Sequence, residues 1–173
     1  MKDYWLSKLI SSVEKVDSRK RLQKSIYLLQ RADCPLKCDY LLHYYGPYSF
    51  ELADLIDQLK GAEIIKESAD LTGYGNRRYI SQIAGKGIHV LGEFEKSKTG
   101  KDLYAQIERF IPLFQELNKE DLWILELGAT IAYYYEGNWQ DAQAQTAGFK
   151  KIRKNDRNLL KATNLAKEFV PAN

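Results

Sequence analysis

The stretch "HYYGPYSFELADLIDQLKGAEIIKE", residues 43–67, reads as the end of an aromatic strand, a Gly-Pro turn, an amphipathic helix and a second short strand. Leu52, Leu55, Ile56 and Leu59 recur at helical spacing and predict the buried stripe of that helix. Ser49 stands where an N-cap is needed, and Gly61 where a helix ends. The outward positions are Glu51, Asp54, Asp57, Gln58 and Lys60, three acids against one base.

Working outward, Trp5, Leu9, Val13 and Val16 predict a first helix, and Leu22, Ile26 and Leu29 a second behind the cap candidates Asp17 and Ser18. Pro35 ends the second helix, "DYLLHYY" (39–45) is suited to a strand, and Gly46 and Pro47 are expected to make its turn. Downstream, "EIIKESADLTGYGNRRYISQI" (63–83) reads as a hairpin, because Gly73, Gly75 and Asn76 accept positive φ. Helix, helix, strand, helix, hairpin is a winged-helix order.

From Lys86 onward the pattern is helical: Ile88 to Phe94, then Leu103, Ile107, Phe110, Phe114 and Leu117, with Pro112 expected to kink or split the second run. Asn118 is expected to cap a central helix from Glu120 to Glu136, with Trp123, Leu127, Ile131 and Tyr134 on one buried stripe and Gly137 and Asn138 as its stop. Leu159, Ala162, Ala166 and Phe169 mark a final helix. The expected architecture is mainly α with a small β-hairpin: a winged-helix-like half over residues 1–97, followed by a helical extension over 98–173 packed on it.

A chain of 173 residues with 45% hydrophobic and 28% charged content can bury a core without staples. The first residues interrupt every apolar step with a charge or Ser, and the most apolar segment, Leu122 to Tyr135, is too short to span a bilayer. A cytoplasmic location is the expectation. The two cysteines, in "CPLKC", do not form a secreted disulfide framework.

Carboxylates on the helix that a winged helix normally places in DNA would repel phosphates, so major-groove insertion is not expected here. Positive charge lies instead on Arg19, Lys20, Arg21, Lys24 and Arg31 in the second helix, on Arg77 and Arg78 in the wing, and on Lys150, Lys151, Arg153, Lys154 and Arg157 near the end. Of these, Arg19, Lys20, Arg21, Lys24, Arg77 and Arg78 are the candidate nucleic-acid contacts. Catalysis finds little support: His43 and His89 are far apart, and His43 reads as a satisfied structural histidine. Cys34, Cys38 and His43 lack the fourth ligand of a structural zinc site. "GYGNRR" lacks the Lys-Ser/Thr of a phosphate loop, and there is no Gly-x-Ser-x-Gly elbow. No enzyme activity, metal or cofactor is expected.

At "RKRLQKSIYLLQ" and "LLHYYGPYSFELADLIDQLKGAEIIKE" the chain resembles the Panacea or SocA-like antitoxin superfamily, and within it the phage-associated YwgA-like branch. The residues that carry the resemblance are Leu22, Lys24, Tyr27 and Leu28, the run Tyr45-Gly46-Pro47-Tyr48-Ser49, then Leu59, Gly61 and Ile64, over roughly residues 18 to 90. "LELGATIAYYYEGNW" resembles the later part of the same branch. The resemblance implies a winged-helix-like protein that acts by contacting another protein. Together with the acidic helix, it leads to the expectation of a non-enzymatic, antitoxin-like interaction protein whose partner-binding face is Tyr48, Glu51, Asp54 and Gln58. The alternative is a winged-helix transcription regulator that uses its wing and second helix.

Overall fold

In the computed structural model, which describes residues 1–171, most helices begin where the sequence supplies an oxygen to cap them. The first, α1 (Lys2–Ser11), buries Trp5, Leu6, Leu9 and Ile10. It ends before Val16, which was expected on its stripe; Val16 is extended and exchanges two 2.9 Å backbone hydrogen bonds with Ser81. Ser18 accepts from the Arg21 N–H and starts α2 (Arg19–Arg31).

Two short strands follow, β1 (Leu41–His43) and β2 (Gly46–Tyr48), paired antiparallel with His43 opposite Gly46 and Leu42 opposite Pro47. The expected Gly-Pro turn is therefore corrected. Tyr44 and Tyr45 form the tip, and Gly46-Pro47 lies in the returning strand. The reason is tertiary: Gly46 has φ +92°, and a Cβ there would stand 2.5 Å from Thr130 Oγ1, so glycine serves both the backbone and the close approach of a distant helix.

Ser49 accepts from the Leu52 N–H and starts α3 (Phe50–Gly61), whose buried residues are Leu52, Leu55, Ile56 and Leu59. A second antiparallel hairpin joins β3 (Ile65–Leu71) to β4 (Arg77–Ile83), with Leu71 opposite Arg77 and Gly75 at φ +76° in the turn. The sequence reading expected one hairpin; among the described residues there are two.

Beyond α4 (Gly85–Phe94), Ser97 caps α5 (Lys98–Ile107). A 3-10 turn over Glu108–Phe110 then divides α5 from α6 (Ile111–Lys119), with Pro112 in the first turn of α6, where its missing N–H has no helical partner to lose. The cap of α7 (Leu122–Tyr134) is Asp121, which accepts from the N–H groups of Trp123 and Ile124. Asn118, expected in that role, lies inside α6 and donates its side-chain amide to the Lys15 carbonyl. Asn138 caps α8 (Trp139–Lys150), and Asp156 caps α9 (Arg157–Phe169).

The centre of the molecule is α7, which packs against α9, α8, α2 and β2. Leu125, Leu127, Ala129, Ile131 and Ala132 have no solvent exposure. The expected four-residue stripe holds at Leu127 and Ile131 but not at its ends: Trp123 is 36% exposed beside the surface cap, and Tyr134 is half-buried. One continuous core draws on both halves of the chain. The chain is thus mainly α with small β-hairpins. No helix among the described residues is long and apolar enough to cross a membrane.

Candidate functional site

Side chains of α2 satisfy the backbone of the extended segment that precedes α3. Gln23 donates to the Ser49 carbonyl at 2.8 Å and accepts the Ser49 N–H at 2.9 Å. Two turns on, Gln30 does the same with Cys38, at 3.0 and 2.8 Å. Each amide thereby imitates a strand partner for backbone that no sheet reaches. Between them, the Lys24 ammonium donates to the Pro47 carbonyl at 2.7 Å. Lys24 is 2% exposed, and burial lowers its pKa to about 7, with Glu126 opposing that shift. Gln23 and Lys24 of "LQKS" and Pro47 and Ser49 of "GPYS" thus form a structural pin that orients α3.

That pin presents the outward face of α3. Glu51 is bound to Lys2 of α1 and accepts the Asp39 N–H at 3.1 Å, contacts that hold its carboxyl below the ordinary range. Asp54 and Gln58 are exposed and, among the described residues, make no ion pair or side-chain hydrogen bond. Glu51, Asp54 and Gln58 line one shallow depression with Lys2 and Leu55. Tyr48 lies around the helix from them, half-buried against Phe50 and facing a cavity of about 160 Å³ with Ala53 and Ile56.

The six candidate nucleic-acid contacts are distributed unevenly. Arg19 forks onto Glu67 at 2.9 and 2.7 Å and also meets Asp57 at 2.5 Å. Burial alone would raise the Glu67 carboxyl, but these bonds hold it below its ordinary range, and Glu67 in turn keeps Arg19 firmly charged. Arg21, 6% exposed, bonds Asp17 and closes the end of α6 through the carbonyls of Leu117 and Glu120. Lys24 is the buried pin. Lys20 pairs with Glu126 at 3.0 Å, and Arg78 with Asp70 at 3.0 Å. Arg77 alone of the six is exposed with no acidic partner among the described residues.

Sequence reasoning missed Glu126. This carboxylate is 4% exposed in the middle of α7 and is gripped by Lys20 from α2 and by Lys150 from α8, at 3.0 and 2.5 Å. Its signal was present in "LWILELGATIAYYY", where a single acid interrupts an apolar run and therefore needs a buried cation. His43 also departs from expectation: it is exposed on β1, near Tyr45 and Tyr48, without a hydrogen-bond partner among the described residues. The short hairpin leaves that face of β1 uncovered. Cys34 and Cys38 are free and buried, and burial pushes both thiols up to about 11. Among the described residues no group of three or more His, Cys, Asp or Glu could hold a metal ion.

A comparison with curated proteins finds similarity to the uncharacterized protein YwgA of Bacillus subtilis (strain 168), 36% identical over 129 residues, an alignment that spans 75% of this chain and 72% of that one. No family model matches the chain.

Proposed function

The chain belongs to the YwgA-like family, and from that premise we propose that it is a non-enzymatic, cytoplasmic interaction protein of antitoxin-like type, within the Panacea or SocA-like superfamily, that works by binding a protein partner. The observation that carries the reading is the state of the two charged surfaces. Arg21 and Lys24 are consumed inside the fold and Arg19 is neutralised by Glu67 and Asp57, whereas Asp54 and Gln58 stand free on the outward face of α3. A winged-helix reading is supported by the extended segment between α1 and α2, where Val16 forms a single antiparallel bridge to Ser81 of β4 alongside the two-stranded β3–β4 hairpin. In that frame α3 occupies the place of a recognition helix. Its acidic face suits a basic protein surface and repels phosphate.

The test is an affinity capture from native lysate with the full chain and its Asp54→Lys variant, followed by association rates measured on the recovered partner at low and high salt. Asp54 contributes nothing to the core, so circular dichroism should be unchanged. The expected result is a basic-surfaced protein held by the wild type, whose association slows on charge reversal, most strongly at low salt. Recovery of the same proteins in equal yield at low salt would show that this face is only solvated surface.

A further inference from the structure

Between the tip of the first hairpin and the C-terminal end of α8 lies a cleft of about 250 Å³. Its floor is Glu126 with the ammonium groups of Lys20 and Lys150 on either side. Lys150 also donates to the Tyr44 carbonyl at 3.2 Å, tying the hairpin tip to α8. Three large rings edge the cleft in partial exposure, Tyr44 at 76%, Tyr45 at 49% and Trp123 at 36%. The cations lie against them: Lys20 sits 4.2 Å from the Tyr45 ring centroid, and Lys150 5.9 Å from that of Trp123. On the rim, Lys151 terminates α8 in a left-handed conformation, and Arg153 and Lys154 follow it in the exposed chain. Among the described residues none of these last three has an acidic partner.

Lys20, Lys150 and Lys151 bring three positive charges against the single carboxylate of Glu126. An ammonium has three donors; among the described residues Lys20 pairs only with Glu126, whereas the Lys150 side chain is buried and meets both Glu126 and the Tyr44 carbonyl. Exposed aromatic faces beside unsatisfied ammonium donors suit a ligand that carries a planar ring next to an anion.

We infer that this cleft binds a nucleoside phosphate, free or within a single strand, the base lying against Tyr44 and Trp123 and the phosphate meeting Lys151 and the remaining donors of Lys20, with the buried Lys150 adding its charge from below. A sugar phosphate would leave the rings without a partner, and a carboxylate side chain brings no ring. The site is separate from the acidic face of α3 and does not rest on the protein-partner reading.

The experiment titrates the full chain with adenosine 5′-monophosphate, adenosine, ribose 5-phosphate, phosphotyrosine and a short oligothymidylate, read by calorimetry and by tryptophan fluorescence. Trp123 is the exposed reporter, since Trp5 is buried and Trp139 is stacked on Tyr135. Saturable binding of the monophosphate is expected, weakened about tenfold or more when either the base or the phosphate is missing. Lys151→Glu and Tyr44→Ser, both at exposed side chains, should each weaken it several-fold with an unchanged melting temperature, while Asp54→Lys should leave it intact. Tighter, more salt-dependent binding of the oligothymidylate would assign the site to a strand, and comparable binding would assign it to the free nucleotide. The inference is overturned if neither binds at low salt, if phosphotyrosine binds as well as the monophosphate, or if both cleft variants bind like the wild type.

Discussion

Lys24 of α2 and Pro47 of β2 are joined by a 2.7 Å bond from the buried ammonium to the carbonyl, at the point where α7 closes over the hairpin through Thr130. This contact places a cation in the interior and has a consequence for pH.

Burial lowers the Lys24 pKa to about 7, Glu126 opposes the shift, and Lys150 and Lys20 add to it. In the unfolded chain the same ammonium titrates near its ordinary value of about 10.4. Below about pH 7 both states are protonated and the penalty of burying the charge is fully present. Between about pH 7 and about pH 10.4 the unfolded state binds more protons, so this group makes stability rise with pH. Lys24→Met removes the penalty, so its stability relative to wild type should be most favourable near about pH 6 and decline toward about pH 10. Urea unfolding across that range checks it, and a difference that does not vary with pH would mean that Lys24 stays charged throughout.

Gly46 and Gly75 both have positive φ but differ in surroundings, since a Cβ at Gly46 meets Thr130 Oγ1 at 2.5 Å and one at Gly75 meets nothing within 4 Å. Gly46→Ala should therefore cost about 2 to 5 kcal/mol, backbone strain and overpacking together, and Gly75→Ala about 1 kcal/mol. Denaturant midpoints of the two variants measure the difference. Adding Thr130→Ala to Gly46→Ala should recover part of the loss if the clash is real.

Ile131 is fully buried in α7, whereas Trp123 is 36% exposed. Ile131→Ala should cost about 2 to 5 kcal/mol and Trp123→Ala less than about 2 kcal/mol. Equal thermal shifts for the pair would contradict the burial difference along the helix.

Glu126 neutralises a Lys150 side chain that is 6% exposed. Glu126→Gln leaves that cation buried without its counter-ion and should cost about 3 to 5 kcal/mol, while Glu126→Gln combined with Lys150→Met should be closer to wild type. A double-mutant cycle by chemical denaturation reads the coupling, and additive losses would show that the pair does not interact.

Much of the fold was legible in local chemistry. Ser18, one of the two cap candidates beside Asp17, caps α2, Ser49 caps α3 as expected, and Leu52, Leu55, Ile56 and Leu59 are the buried stripe their spacing predicts, because capping and amphipathic periodicity are set within one or two turns of chain. The misses share a cause. Asp121 caps α7 in place of Asn118 because α6 runs on through Asn118. Gly46-Pro47 carries the strongest turn signal in its segment, yet Thr130, far away in sequence, requires the glycine and moves the tip to Tyr44 and Tyr45.

The sequence by itself determined most of the helices, the apolar face of α3, and that the outward face of α3 is acidic; α8 and the pairing of β1 with β2 were not read from it. Only the tertiary structure decided which charges remain available. Arg21, Lys24 and Arg77 look alike as basic residues, yet Arg21 ends on the Glu120 carbonyl 99 residues away, Lys24 on Pro47 23 residues away, and Arg77 in solvent. A cation's availability depends on the carboxylates and carbonyls that packing brings to it and on how much water packing removes, and both are properties of contacts between distant segments.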